Sequence, residues 1–231
     1  MHVKRGLIAL GLGLVVALIG SGVYFTTRGA NDGAIVIGQA SDRLPSETLT
    51  DWVSYSDHVV IAKVESEREL ETPAEAVQRG EGLIGRRISA RVTTTLWSRT
   101  DAPDVPPSVD LLVWGWVLQE GKRLPFTSDG APRPSVGQIY VFPLAQIKSG
   151  EWVVLAHSAV LPVTAGVVRT PDAAEVGVVA PLAREYAGRA VEDLSRALAE
   201  AKPDSIAARY FDRDPEARWE AVVDAHASTQ P

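Results

Sequence analysis

Residues 7–25 carry no charged side chain, and they follow Lys4 and Arg5. A helix needs roughly 20 apolar residues to cross a bilayer, so the pattern predicts a transmembrane signal anchor over 6–26. The stretch is longer than the apolar core of a cleavable signal, which implies that the anchor is retained. Positive charge lies before the span, which places residues 1–5 in the cytoplasm and the remainder outside the cell membrane. Ala9, Gly13, Ala17 and Ser21 recur every fourth residue and give one small-sided helix face, a candidate homodimer contact.

After residue 26 the pattern turns polar and glycine-bearing, which predicts a linker over 27–46. A folded domain follows from about residue 47. Val60, Ala62 and Val64 alternate with Lys63 and Glu65, and then Ile88, Ala90, Val92, Thr94 and Leu96 alternate with Arg87, Ser89, Arg91, Thr93 and Thr95. Period-two alternation of this kind predicts half-buried strands. Residues 109–118 differ, because Val109, Leu111, Val113 and Val117 fill one parity while Leu112, Trp114 and Trp116 fill the other. Both faces of that strand are expected to be covered. Residues 139–144 and 152–161 are two further strand candidates, whereas 98–108 and 119–135 have the Pro, Gly and charge of exposed loops. Thr72, Pro73 and Glu75 suit the start of a short helix ending near Arg79.

The period changes to 3.6 after Pro181: Ala187, Val191, Leu194, Leu198 and Ala201 share one face until Pro203. Asp214 and Pro215 then open a terminal helix carrying Trp219, Val222, Val223 and His226. Trp52 and Trp219 suit helix anchors. The expected architecture is a mainly β domain over 47–180, an antiparallel barrel of about five strands, packed by C-terminal helices over 181–231 and preceded by one transmembrane helix. The helix over 181–202 is the expected cover for Trp114 and Trp116.

Composition narrows the partners. The chain of 231 residues has a formal charge of −6 and no basic stripe, which argues against nucleic acid. Cysteine is absent, so disulfides, thiolate metal sites and a cysteine nucleophile are excluded. His2, His58, His157 and His226 lack the spacing of paired metal ligands, and no cofactor motif is present. His157 and Ser158 are neighbours on an expected strand, where a base and a nucleophile point apart. Glu192, Asp193, Asp212 and Asp214 suit solvated or capping roles. No catalytic residue, cofactor site or metal site is assigned from the sequence. Trp97, Trp114, Trp116 and Trp152 lie in or beside strands, as core residues or as a ligand-stacking face.

One resemblance follows from these strands. Ser56-Asp57, Val59-Val60, Ala62-Lys63-Val64 and Ser66-Glu67 open a pattern that continues through residues 92–97, Val109 to Leu111, and Val136-Gly137-Gln138-Ile139-Tyr140-Val141-Phe142. Over residues 56–161 it resembles the OB-like barrel of netrin-like domains and tissue inhibitors of metalloproteinases; the layout is also similar to single-pass bacterial envelope proteins. The resemblance implies a barrel alone: the inhibitors' zinc-ligating amino-terminal cysteine and their disulfides have no counterpart here, and a fold does not name a function. The expected function is therefore a membrane-anchored extracytoplasmic module that binds a protein, peptide or glycan. An envelope hydrolase with dispersed carboxylates and an accessory subunit of a membrane complex are the alternatives.

Overall fold

The structure is a computed structural model that describes residues 16–17, 24–27, 36–38, 44–72, 74–128, 130–171 and 179–227. Its strands are β1 (Val16–Ala17), β2 (Tyr24–Thr27), β3 (Val36–Gly38), β4 (His58–Glu69), β5 (Gly82–Ser98), β6 (Ser108–Gln119), β7 (Lys122–Ser128), β8 (Ile139–Gln146), β9 (Trp152–Val154), β10 (Leu161–Thr164) and β11 (Val167–Val168). The helices are α1 (Leu49–Tyr55), α2 (Ala74–Arg79), α3 (Pro181–Tyr186), α4 (Val191–Glu200) and α5 (Pro215–Ala227). The strands form one curled half-barrel sheet in the order β1-β2-β3-β7-β6-β5-β4-β8-β10-β11, with β9 paired to β8. The fold is thus mainly β with C-terminal helices, as the pattern predicts.

The strand number is corrected from five. Strands β4 to β11 give eight, and β3 on the edge of β7 gives nine. Most of the difference lies in segments whose sequence hides the strand. Residues 119–135 are not all loop, because Glu120 and Gly121 take positive φ values of 50° and 73° and close a two-residue turn between β6 and β7. Residues 152–161 do not form one strand, because a 3-10 turn over His157–Ala159 separates β9 from β10. The helix expected over 181–202 is broken as well. Gly188, at φ 79°, turns the chain after α3, and Ala190 bridges Val167 of β11 before α4 begins.

Two apolar clusters lie on opposite faces of the sheet. Val60, Ala62 and Val64 meet Ile88, Ala90, Val109, Leu111, Val113, Tyr140 and Phe142 on one side. On the other, Val59, Val141, Leu161 and Val163 meet Trp52, Leu182, Tyr186, Leu194, Leu198 and Val222, so α1, α3, α4 and α5 all pack there. Trp52 is a buried helix anchor, and Trp219 packs edge-on against Tyr55 at 5.9 Å.

The helical layer does not cover Trp114 and Trp116. Their shared parity is undone by a bulge: Trp114 pairs with Gly85 and Trp116 with Ile84, which are neighbours on β5 and face opposite ways. Trp114 instead packs on Phe126 and His157, and the guanidinium of Arg133 lies over the ring of Trp116. Nor are both faces of β6 covered throughout, since Leu112 is 51 % exposed.

Of the expected span over 6–26, the structure describes residues 16–17 and 24–26, paired as β1 and β2; the rest, including Ala9, Gly13 and Ser21, lies outside the described residues. No helix among the described residues is long and apolar enough to cross a membrane. Within 27–46, β3 pairs in parallel with β7, and Val36 and Ile37 are buried there. Pro73 lies outside the described residues, and α2 occupies the rest of the short helix expected before Arg79.

Candidate functional site

α1 ends at Tyr55, and the chain extends immediately into β4 through Ser56 and Asp57. The backbone of Asp57 is fixed on both sides, its N–H donating to Leu144 O at 2.7 Å and its carbonyl accepting from Arg99 N at 2.9 Å. Its side chain is thereby aimed between the sheet and α5. Oδ1 accepts from Arg99 Nε at 3.1 Å, Arg99 Nη2 at 2.9 Å and Arg218 Nη2 at 2.9 Å, and Oδ2 accepts from Gln146 N at 2.8 Å. All three ionic side chains are nearly inaccessible, at 2 % for Asp57, 6 % for Arg99 and 2 % for Arg218. Burial pushes the Asp57 carboxyl up, but the Gln146 N–H and the two guanidiniums outweigh it and hold the group below its ordinary value. Asp57 is therefore a saturated anion, unsuited to donating or accepting a proton near neutrality.

The other partners of this junction come from the C-terminal segment. Asp214 caps α5 through Ala217 N at 2.9 Å, and the helix then presents Arg218 inward, where Nε donates to Arg213 O at 2.9 Å. A 3-10 turn over Ala207–Tyr210 delivers Phe211, whose ring lies 5.1 Å from the guanidinium carbon of Arg99 and 5.5 Å from that of Arg218. Burial lowers the pKa of Arg218, against the opposing pull of Asp57. Above this floor opens a cleft of about 540 Å³, walled by Asp101 and Pro103 from one loop, Lys148 from the β8–β9 turn, and Asp212 and Arg213 from the approach to α5.

Beside the cleft, His58 and Ser98 are direct partners across β4 and β5. His58 is 5 % exposed, with Nδ1 2.8 Å from Ser98 Oγ and Nε2 2.6 Å from Pro103 O. A carbonyl only accepts, so Nε2 must carry a hydrogen. In the neutral ring Nδ1 is then the acceptor, and the Ser98 hydroxyl donates to it. The Trp152 ring lies 5.5 Å from the imidazole.

A second ionic cluster lies at the β6 bulge. A Cβ on Gly115 would come within 2.5 Å of Ile84 O, so the position demands glycine. Arg86, fully buried, donates from Nε to Trp114 O at 2.8 Å, from Nη2 to Pro134 O at 2.6 Å, and to Glu67. Arg133 Nη2 donates to Gly115 O at 3.3 Å. Burial and the neighbouring charge of Arg133, opposed by Glu67, bring the pKa of Arg86 down to about 10. Two arginines thus serve consecutive carbonyls at an irregular point of the ladder.

The four tryptophans weighed as a stacking face do not meet on one surface. Trp97 packs against the helical cluster, Trp114 against Val36, Val117 and Phe126, and Trp152 against the opposite sheet face, while Trp116 lies under Arg133. All four are half-buried. Among the described residues no group of three or more His, Asp and Glu is placed to hold a metal ion.

Sequence reasoning passed over Asp57, Arg99 and Arg218 because their union spans 161 positions. One signal was available for Arg86: it continues the parity of Ile88, Ala90 and Val92, so its place on the buried face follows from the alternation. No protein-family model matches this chain, and no curated protein or solved structure is significantly similar to it.

Proposed function

We propose that the chain is a single-pass, membrane-anchored extracytoplasmic binding module, with the cleft above Asp57 as its ligand surface. The observation that carries this reading is the convergence at one cleft of a loop, a β-turn and the entry to α5, over a floor made rigid by the saturated Asp57 junction. A rigid floor under short connections is how scaffolds present binding surfaces. The rim carries both charge signs, in Lys148 and Arg213 and in Asp101 and Asp212. That mixture suits a polar protein or peptide segment bearing both charges.

The test places a photo-crosslinking residue at Lys148 or Asp212 of the full-length protein in intact membranes, with Val77, 60 % exposed, as the control position. The rim positions are expected to yield a discrete adduct that Val77 does not, and to lose it when Arg213 is reversed in charge. The same adducts from Val77 would overturn the cleft assignment. Protease added to spheroplasts should remove the domain after residue 26, and a C-terminal reporter active only in the cytoplasm would refute the orientation.

A further inference from the structure

We propose that Ser98 is a base-activated nucleophile with His58 as its general base, which gives the domain a serine-type esterase activity. The assignment rests on the dyad alone and is independent of the cleft as a ligand surface.

Three observations carry it. The Ser98 hydroxyl is held 2.8 Å from Nδ1, and Pro103 O at 2.6 Å from Nε2 fixes the tautomer in which Nδ1 has its lone pair free to take a proton. Ser98 is exposed at the end of β5, so an acyl group can approach it from solvent, whereas His58 is 5 % exposed and flanked by Trp152. Both residues lie on paired strands, whose backbone holds them in register. A nucleophile, its base and a third group orienting the base are the parts that hydroxyl activation requires.

The chemistry balances with water as the only co-reactant. Ser98 Oγ attacks the ester carbonyl carbon and its proton passes to Nδ1. Collapse of the tetrahedral adduct breaks the ester C–O bond, and the departing alkoxide takes that proton. Water then attacks the acyl-Ser98, again losing its proton to Nδ1, and the released acid regenerates the serine on return of the proton to Oγ. The imidazolium formed in each half is stabilised by the dipole of Pro103 O. A carbonyl dipole is weaker than the carboxylate of a full triad, so the substrate class is esters with good leaving groups, aryl esters above alkyl esters and amides.

The experiment treats the detergent-solubilised full-length protein with a fluorophosphonate and follows p-nitrophenyl acetate hydrolysis. The expected result is one phosphonyl adduct on the peptide containing Ser98 and ester turnover, both lost in S98A. H58Q is the decisive variant: its amide can accept from Ser98 and donate to Pro103 O yet has no basic nitrogen, so a merely structural role survives it. Labelling and turnover should fall about a hundredfold or more in H58Q, the low end of general-base effects. In H58A, added imidazole should restore part of the turnover. Wild-type labelling no faster than that of S98A would overturn the proposal, as would H58Q labelling at the wild-type rate. Either outcome leaves the crosslinking at Lys148 and Asp212 unaffected, so the two readings fail separately.

Discussion

Arg218 and Arg86 are buried to the same degree, at 2 % and 0 % exposure, but burial serves a different end in each. Arg218 joins parts of the chain 161 positions apart, because its charge reaches Asp57 from α5 while Arg99 reaches the same oxygen from the end of β5. Arg86 repairs the backbone locally. The bulge at Gly115 interrupts the β5–β6 ladder, and Arg86 serves the carbonyl of Trp114, with Glu67 as counter-ion. Both clusters serve backbone carbonyls, Arg218 those of Arg213, Ser54 and Tyr55. Only the first brings two guanidiniums onto one buried carboxylate oxygen, whereas the counter-ion of Arg86 is the partly exposed Glu67. Losing one group should therefore be far more damaging at the first.

The largest effect is expected from Asp57→Ala, which strands two buried guanidiniums. Removing one partner of a buried ionic cluster costs about 3–5 kcal/mol, so the full-length protein should show a marked fall in its chemical-denaturation midpoint. Replacing the cluster as a whole, in D57L/R99M/R218M, should recover part of that loss, since no buried charge then lacks a partner, although Gln146 N–H and the carbonyls of Ser54, Tyr55 and Arg213 lose theirs. A triple variant no more stable than D57A would break the comparison. Acid gives the same contrast. The folded pKa of Asp57 lies below its unfolded value, so its contribution is complete above the ordinary carboxylate range, ~4, and is lost as pH falls through the folded value. Wild-type stability should decline there, and D57N should lack that part of the decline.

At the bulge the expected effects are smaller. Gly115→Ala drives a methyl against Ile84 O and neighbouring backbone of β5, and forced overpacking of this kind costs about 1–3 kcal/mol. Arg86→Met keeps much of the volume but removes the hydrogen bonds to the carbonyls of Trp114 and Pro134, at about 1 kcal/mol net for each bond, or about 2 kcal/mol together. Thermal unfolding of the two variants checks both values. A loss in R86M as large as that in D57A would show that the bulge is the more concentrated cluster.

Legibility in the sequence follows the range of the interaction. The alternation in β4 and in β5 as far as Val92, and the 3.6 period of α4, report which side chains meet the core, but beyond Val92 a register shift leaves Thr94 exposed and turns Leu96 to the helical cluster. Where one residue changes the geometry, the pattern misleads: Gly115 reverses the relation of Trp114 to Trp116, and Gly188 divides the expected helix. The candidate site was hardest to see. Asp57 and Arg218 carry no local mark of pairing, and His58 meets Ser98, 40 positions on, only once β4 and β5 are paired. Distant polar pairs leave no periodicity to detect.

The smallest expected effect sharpens the comparison most, because it isolates one term. Phe211 covers both guanidiniums at the Asp57 junction, whereas Trp116 lies under Arg133 alone. Phe211→Leu retains most of the apolar area and removes the ring's electrostatic attraction, which for partly desolvated cations amounts to about 1 kcal/mol. In the D57L/R99M/R218M background that attraction is already absent, so the same substitution should cost only its packing difference. The interaction energy of this double-mutant cycle then measures the coupling between ring and cations. An equal loss in both backgrounds would assign Phe211 a packing role and confine the junction's stability to the contacts of Asp57 itself.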